Sequence, residues 1–480
     1  MNRKMINLIL GRIMLTEAML MLPSVLIGVG YGERAALAFV PPIVLLALIG
    51  LLMSRFKPKN TRIFARDGFF IVAAAWVLVS VFGAIPFYLS GFFPTVWDAF
   101  FEIVSGFTTT GASVLADPEA LPYCLLFWRS FSHWIGGMGV LVFVLAIAPL
   151  SEDRSLYLMQ AEMPGPTVGK LSPRTRDTAL ILYAVYTAMT ALLILLLVLG
   201  KMPLFDAVCN AFATAGTGGF AVRTAGIAYY NSPYIEWVLG VFMFLFGINF
   251  NLYYLILAGK AREAVKSEEL RWYVIICVFS TALIALNTWA SSVAPGATIL
   301  NAFFQVSSIM TTTGFATVDF ALWPQFSQHL LVILMIVGAC AGSTGGGFKV
   351  SRVLLLCKSF GQEMRRMIHP RVATSILMDG KKVDYPTMHG TRTYCVVYVM
   401  LICLSTLLLS LDGFDMTTNL SAELACINNI GPGLALVGPM SNFSMYSPLS
   451  KVLLSVNMLL GRLEILPLIV LFSPSAWRRR

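Results

Sequence analysis

Long apolar segments alternate with short polar ones along the whole chain. Most apolar segments are about 20 residues long, which is the length that a helix needs to cross the hydrocarbon core of a bilayer. The first two, residues 5–30 and 36–54, predict a transmembrane hairpin. We expect eight further spanning helices in four pairs, at 68–90 and 123–148, 176–199 and 233–258, 271–292 and 326–356, and 393–411 and 447–472.

A shorter apolar segment and a loop rich in Thr and Gly lie between the two helices of each pair. The four loops align on Gly111, Gly219, Gly314 and Gly431. A residue suited to cap a helix stands thirteen positions before each glycine, namely Asp98, Asp206, Asn301 and Thr418. The pattern predicts an all-α membrane protein with four pseudo-symmetric helix–pore loop–helix repeats after the N-terminal transmembrane hairpin. It would have ten spanning helices and four pore half-helices.

The repeats divide the chain into five regions. These are the N-terminal transmembrane hairpin at 1–60, pore repeat 1 at 61–150, pore repeat 2 at 151–260, pore repeat 3 with an intramembrane loop at 261–357, and a cytoplasmic linker with pore repeat 4 at 358–480. We expect the first apolar segment to be retained as a helix, because it is longer than the apolar core of a secretory signal.

Composition and charge agree with a membrane protein. Hydrophobic residues make up 58% of the chain and charged residues 12%, whereas soluble domains carry about 25% charged residues. Of the 34 Lys and Arg residues, 25 fall at the termini and in one set of loops, and only Arg34, Lys201 and Arg223 fall in the other set. The positive-inside rule makes the basic side and both termini cytoplasmic. The net charge of +10 therefore reflects topology, no nucleic-acid partner is expected, and the four Thr/Gly loops are external.

The four aligned loops have the chemistry of a cation pathway. An ion crossing a bilayer must exchange its water shell for protein oxygens, which rings of backbone carbonyls supply for alkali cations. Glycine permits the dihedral angles that such a loop needs, and a half-helix whose C-terminal end faces the loop favours a cation. The candidate filter residues are Thr109, Thr110, Gly111, Thr217, Gly218, Gly219, Thr312, Thr313, Gly314, Asn429, Ile430 and Gly431. The alternative is that these loops are simple turns at helix ends.

A second candidate element interrupts the helix predicted at 326–356. Residues 338–347 contain five glycines, and non-helical backbone at membrane depth is tolerated only where protein buries it or where it lines a watery path. A glycine-rich hinge suits a gate, although small residues also serve close helix–helix contacts. The candidate gate residues are Gly342, Gly345, Gly346, Gly347, Lys349 and Arg462. In an alternative role, Lys349 and Arg352 extend to the cytoplasmic interface.

Isolated charges within apolar helices are costly, so each one raises a functional hypothesis. Glu102 and Arg129 are expected either to pair and anchor the back of the first loop or simply to be solvated at the interface. The four histidines have no spacing typical of metal ligands, and we assign them no role. A membrane-embedded enzyme would need clustered His, Asp or Cys near the midplane, and because the sequence offers none, no enzymatic activity is predicted.

Several motifs carry a resemblance to a known family. The pore loops of the Trk/Ktr/HKT superfamily of potassium transporters resemble three segments of this chain, 108–113, 311–315 and 428–434. The Trk membrane subunit, the TrkH family, is similar in the segments Trp134–Gly139, Glu162–Pro166 and Gly461–Glu464 and in the N-terminal hairpin. The resemblance extends over essentially the whole chain.

The resemblance implies potassium uptake across a bacterial inner membrane, with potassium ions as the cargo of the filter and no cofactor in this chain. It also implies a homodimer in the membrane lipid and a cytosolic nucleotide-binding regulatory subunit similar to TrkA, docked on the basic loops, above all 358–392. Arg462 is placed by the resemblance against the glycine-rich loop, below the filter, and a structural pair with Glu464 is the alternative. Coupling of potassium to sodium or protons on the same scaffold is the alternative mode of transport.

Overall fold

The computed structural model describes residues 2–55, 65–139, 175–289, 295–370, 375–465 and 468. These residues form seventeen α-helices, several short 3-10 turns and a two-stranded hairpin of β1 (Leu377–Met378) and β2 (Lys381–Lys382). The helices are α1 (Arg3–Gly30), α2 (Val40–Ser54), α3 (Ala65–Leu89), α4 (Val96–Phe107), α5 (Tyr123–Gly137), α6 (Thr175–Leu199), α7 (Leu204–Ala215), α8 (Pro233–Phe246), α9 (Phe250–Leu257), α10 (Ala261–Val265), α11 (Glu268–Thr288), α12 (Pro295–Met310), α13 (Gln325–Val337), α14 (Val350–Ile368), α15 (Tyr385–Leu409), α16 (Met416–Ile427) and α17 (Pro448–Arg462).

Six helices in the described ranges are long and apolar enough to span a membrane, namely α1, α2 with its preceding 3-10 turn, α3, α6, α11 and α15. The chain is therefore a mostly helical, multi-pass membrane protein, whereas the count of ten spans stays a prediction. The ranges predicted as helices at 123–148, 271–292 and 447–472 extend into residues outside the described ones, where the motif Glu162–Pro166 also lies. Within the described residues, α5 ends at Gly137 and α17 ends at Arg462, so these two helices end earlier than predicted.

The prediction of one continuous helix at 233–258 is wrong. This segment breaks between α8 and α9, whose axes differ by 92°. A Cβ atom at Gly247 would lie 2.8 Å from Cγ2 of Thr311, so only glycine fits where the helix turns. The peptide groups freed by the break are satisfied by the glycine-rich loop, since Cys340 donates its N–H to the Gly247 carbonyl at 3.1 Å and Phe250 donates to Gly342 at 3.0 Å.

Four short helices, α4, α7, α12 and α16, lie where the pore half-helices are predicted, but the residues predicted to cap them do not do so. Thr95 caps α4 by accepting the N–H of Asp98 at 3.1 Å, and Asp415 caps α16 by accepting the N–H of Thr418 at 3.0 Å. Asp98, Asp206 and Thr418 thus stand at the third helical position, and Asn301 lies well inside α12.

The repeated carboxylates serve tertiary contacts instead of capping. Asp98 pairs with Lys451 of α17 at 2.6 Å, and Asp206 pairs with Arg223 at 3.0 Å. In repeats 1 and 2 the residue thirteen positions before the glycine therefore marks where the helix is tied to another segment.

The four repeats are arranged in a closed ring. Each pore helix packs on the outer helices of its own repeat and also on the second helix of the preceding repeat, so α7 contacts α5, α12 contacts α8 and α16 contacts α13. The ring closes where α4 packs on α17, the last described helix. The N-terminal hairpin of α1 and α2 lies against α3 and α5. This arrangement brings the ends of all four pore helices together.

Replacing Asp415 with Ala tests the corrected start of α16. Loss of the cap should lower the free energy of unfolding by about 1 kcal/mol, and Asp415→Asn should retain most of it because Asn is an equally good cap. Bonds from the Thr418 hydroxyl and N–H lower the pKa of Asp415, so the carboxylate's contribution is present at neutral pH and is lost as the pH falls below the usual value for Asp. Thermal unfolding in detergent measures the difference, and equal midpoints for the Ala and Asn variants would contradict the assignment.

Candidate ion pathway

All four pore helices end in the same hydrogen-bonded turn. The residue just before each filter glycine donates its N–H to the carbonyl oxygen five residues earlier, closing a Schellman motif. The four bonds join Thr110 to Ser105 at 2.9 Å, Gly218 to Ala213 at 2.8 Å, Thr313 to Ser308 at 2.8 Å and Ile430 to Ala425 at 2.8 Å. The repeat seen in the sequence is therefore a repeat of main-chain geometry. Loops 2 and 4 have this geometry although their sequences differ from those of loops 1 and 3.

The residue two positions before each filter glycine has the left-handed conformation that is usually left to glycine. The φ angles are 56° at Thr109, 55° at Thr217, 61° at Thr312 and 57° at Asn429. Such residues cost about 1–3 kcal/mol each and persist only where the surrounding structure enforces them. The filter glycines also have positive φ, from 73° at Gly219 to 99° at Gly431. Alternation of left-handed and ordinary residues turns successive peptide groups to one side, as stacked carbonyl rings require.

The filter glycines interlock the four loops into a ring. A Cβ atom at Gly111 would collide with the Gly218 carbonyl oxygen of loop 2. The same collision is met at Gly219 with the Thr313 oxygen of loop 3, and at Gly314 with the Ile430 oxygen of loop 4. At Gly431 a Cβ atom would lie 2.9 Å from the Thr110 oxygen of loop 1. The loops are turns at helix ends, as the simpler hypothesis held, but they are also turns that meet in one closed circle.

The ring opens on one side into a cavity of about 530 Å³, which all four filter glycines line. Arg223 lies in its wall, and its charge is balanced by Asp206 at 3.0 Å and Glu119 at 3.1 Å. A hydrogen bond from the Thr224 N–H, with help from Arg223, lowers the pKa of the Glu119 carboxyl, so that it is ionised at neutral pH. The four filter glycines are thus accessible from a vestibule whose wall carries charged side chains.

Glu102 and Arg129 form a buried ion pair behind the first loop, with Arg129 Nε 2.6 Å from Glu102 Oε1. Glu102 also accepts the Val114 N–H at 2.9 Å, and Arg129 donates to the Ala221 carbonyl at 3.0 Å. The pair therefore anchors the segments that follow loops 1 and 2, and the alternative of interfacial solvation is wrong.

The glycine-rich segment forms a non-helical intramembrane loop between α13 and α14 (residues 338–349), so a close contact between two helices does not explain its composition. The loop lies against the filter on the side opposite the vestibule. A Cβ atom at Gly345 would lie 2.8 Å from the Thr311 carbonyl oxygen, and one at Gly346 would collide with the Asn428 carbonyl. Gly346 also donates its N–H to Thr312 Oγ1 at 2.6 Å.

Gly342 and Gly347 supply the conformational freedom of this loop, with φ angles of 70° and 77°. Gly342 faces the bend between α8 and α9, where a Cβ atom would lie 2.9 Å from Asn249 Oδ1. The four glycines predicted as gate residues are therefore all in close contact. Gly345 and Gly346 meet the filter segments and Gly342 meets the bend, whereas a Cβ atom at Gly347 would lie 2.8 Å from Gly338 Cα at the other end of the loop.

Arg462 reaches the intramembrane loop and the end of α5 at once. It donates to the Thr344 carbonyl at 2.8 Å and to the Gly136 and Gly137 carbonyls at 2.6 Å each. It is the last residue of α17 rather than a residue in the middle of a helix. The carboxylate of Glu464 is paired instead with Arg352.

Lys349 and Arg352 do not extend to an interface. Lys349 is buried and its Nζ donates to the Gly345 carbonyl of the loop. Arg352 is also buried, and its guanidinium stacks on the ring of Tyr394 at 4.1 Å. Arg462 and Lys349 thus donate to carbonyls of the intramembrane loop, and Arg352 attaches the helix that follows the loop to Tyr394.

Comparison with known proteins agrees with this geometry. The profile of a family described as a cation transport protein, TrkH, matches residues 38–479.

The chain belongs to the TrkH family. It is 36% identical to the Trk system potassium uptake protein TrkH of Escherichia coli K12 over the full length of both chains. It is 34% identical to the protein of the same name from Vibrio parahaemolyticus, over 98% of each chain. The crystal structure of the potassium transporter TrkH from Vibrio parahaemolyticus superimposes with a TM-score of 0.90 over all of both chains, at 33% identity.

His133 is a residue of this TrkH-family chain that the sequence analysis left without a role. It is fully buried between two repeats, with Nδ1 2.7 Å from the Gly106 carbonyl and Nε2 3.3 Å from the Phe220 N–H. The neutral tautomer with hydrogen on Nδ1 satisfies both contacts. The ring also fills the space next to Gly218. The nearby Gly136–Gly137 pair was the available sequence signal for a closely packed position at His133. The sequence could not identify its partners, Gly106 and Phe220, because they come from distant segments.

Alanine substitutions should rank the filter glycines by their steric contacts. In Gly219→Ala and Gly314→Ala the new Cβ atom would collide with a carbonyl oxygen of the next loop. Both should therefore lower the unfolding midpoint more than Gly431→Ala, whose Cβ atom would lie 2.9 Å from the Thr110 oxygen. Gly361→Ala is the control, because no atom lies within 4 Å of its Cβ and Ala favours a helix. Thermal unfolding of the four purified variants measures the order, and equal midpoints at all three filter positions would contradict the interlocked ring.

Proposed function

We propose that this chain takes up potassium ions across a bacterial inner membrane, with the four-loop ring as its selectivity filter. The observation that carries the proposal is the closed circle of glycines and carbonyls at the ends of four pore helices. Carbonyl oxygens can replace the hydration shell of an alkali cation, and the C-terminal ends of the helices favour positive charge. The relatives from Escherichia coli and Vibrio parahaemolyticus, which are named as potassium uptake proteins, support potassium as the cargo.

The candidate filter residues divide into three roles under this proposal. The carbonyls of Thr110, Gly218, Thr313 and Ile430 each face the filter glycine of the preceding loop and close the ring. The left-handed residues before them set the direction of the peptide groups, and the glycines keep the throat free of side chains. The membrane potential contributes about 2.3 kcal/mol per charge for every 100 mV, which drives cation entry without a second ion.

The intramembrane loop is the proposed gate. It lies across the inner side of the filter, and Arg462 adds a positive charge at this point, which opposes a cation in transit. The closed arrangement is stabilised by the three carbonyl contacts of Arg462. Regulation is assigned to a cytosolic nucleotide-binding subunit that docks on the basic loops of a homodimer. The term "Trk system" in the names of the relatives supports a multi-component assembly.

Growth of a potassium-uptake-deficient strain at low potassium tests the cargo. The wild-type chain should restore growth, and Gly314→Ser should reduce both growth and the discrimination of potassium from sodium, because the new side chain enters a contact with the Ile430 carbonyl. Gly361→Ala should restore growth like the wild type. Failure of the wild-type chain to carry potassium, in cells and in proteoliposomes, would refute the proposal.

Reversal potentials in proteoliposomes separate the transport modes. A potential set by the potassium gradient alone supports a uniporter or channel, whereas one that shifts with imposed sodium or proton gradients establishes coupled symport on the same scaffold.

Arg462→Gln tests the gate. Hydrogen bonds to a charged group are worth about 1.5–3 kcal/mol, so weakening the closed state should raise potassium flux about tenfold or more. The exposed Arg262→Gln variant removes the same charge far from the loop and should leave the flux unchanged. An Arg462→Gln variant that folds and transports at the wild-type rate would remove Arg462 from the gate.

A further inference from the structure

Two adjacent glutamates begin α11, and they face different parts of the molecule. Glu269 is buried, and its Oε1 accepts the N–H of Ala341 at 2.8 Å and the N–H of Ser351 at 3.1 Å. Ala341 directly precedes Gly342 at the start of the glycine-rich turn, and Ser351 lies in the first turn of α14. A single carboxylate oxygen therefore ties together both ends of the intramembrane loop.

Lys349, within the same loop, donates to the Gly345 carbonyl, so the two bonds to Glu269 are the contacts that reach the loop from α11. Hydrogen bonds that end on an ionised acceptor are about twice as strong as neutral ones. Glu269 thus holds the loop through two main-chain bonds, both from a helix that is not part of the loop.

Glu268 is bonded to the cytoplasmic linker instead. Its backbone N–H donates to Asp379 Oδ1 at 2.7 Å, in the turn of the β1–β2 hairpin. Its carboxylate pairs with Lys358 at 2.6 Å, and Lys358 also donates to the Leu377 carbonyl of β1 at 2.7 Å. The hairpin and the intramembrane loop are therefore attached to neighbouring residues at one rigid helix end.

We infer that Glu269 is a positioning residue that latches the intramembrane loop across the ion pathway, and that Glu268 transmits the position of the β1–β2 hairpin to this latch. The inference rests on the proposed function of the loop as a gate. A partner that moves the hairpin shifts the start of α11, and a shift of about 1 Å breaks the two N–H bonds to Glu269, because a hydrogen bond is lost beyond a donor–acceptor distance of about 3.6 Å. The loop is then released at both ends together.

Cys340 supplies a native reporter for the latch. It is buried in the intramembrane loop, as Cys277 is buried in α11, whereas Cys357 and Cys403 are exposed. Glu269→Gln should make Cys340 react with a methanethiosulfonate reagent about tenfold faster, because the charge-assisted bonds are weakened, while Cys277 stays protected. Peptide mass spectrometry of the full-length protein in lipid nanodiscs gives the rate at each cysteine. The exposed Glu263→Gln variant is the matched control and should react like the wild type.

The outcomes separate a latch from a general loss of structure. Faster reaction at Cys340 alone supports the latch, whereas equal acceleration at Cys277 means that Glu269 only stabilises the fold and overturns it. Unchanged protection of Cys340 in Glu269→Gln also overturns it. Potassium flux is measured on the same samples, and it should rise in Glu269→Gln without a change in reversal potential, because the filter is untouched. Labelling does not depend on the cargo, so a failure of the potassium assignment is distinguished from a failure of the latch.

A double-mutant cycle tests the link to the hairpin. Glu268→Gln should accelerate Cys340 modification in the wild-type background and should have no further effect in the Glu269→Gln background, since the hairpin acts through the latch. If the two substitutions instead multiply the rate of Cys340 modification independently, the proposed link from Glu268 to Glu269 is refuted, and the two glutamates make unrelated contacts.

Discussion

The contact between each filter glycine and a main-chain carbonyl of the next loop is the constraint on which the rest of the structure depends. Such a contact leaves no room for a side chain, so the four loops fit together only if every repeat delivers its pore helix to the same depth. Buried ties between repeats provide this alignment, among them Lys451 with Asp98 and Arg129 with the Ala221 carbonyl. The strained left-handed residues of the four loops are tolerated because the ring encloses them on both sides.

The repeat could be predicted from the sequence because it is local. A glycine, the polar residues before it and a short apolar helix recur at constant spacing. The spacing is kept even in loop 4, where Asn429 and Ile430 stand in place of the Thr109 and Thr110 of loop 1. The predicted caps were misplaced because Asp98 and Asp206 repeat for tertiary contacts rather than for the helix start. These two and Thr418 stand at the third helical position, and Asn301 lies deeper in α12. A periodic signal identifies a unit but does not say what each member of the unit binds.

The elements that the sequence did not predict depend on partners far along the chain. At the end of α8, a side chain at Gly247 would collide with Tyr273 and Thr311, and His133 bridges Gly106 to Phe220. Glu269 looks like an ordinary helix-start carboxylate until Ala341 and Ser351 are brought to it by folding. Each of these residues acts through a contact with a distant partner, and the sequence alone does not show which partner the fold brings to it. Charges inside apolar helices were the best signal of this kind, and Glu102 with Arg129 was found in that way.

Polar backbone that is removed from water must find partners within the protein, and this requirement ties the bend in repeat 2 to the loop of repeat 3. The bend presents the Gly247 carbonyl and the Phe250 N–H, which bond to Cys340 and Gly342 of the loop. Neither element can move alone without leaving buried peptide groups unpaired, at a cost of about 1–3 kcal/mol for each group. Partial displacements are therefore penalised, and an arrangement in which several bonds form or break together favours two discrete positions of the loop. The loop proposed as the gate would therefore open as a unit, because its hydrogen bonds are shared with its surroundings.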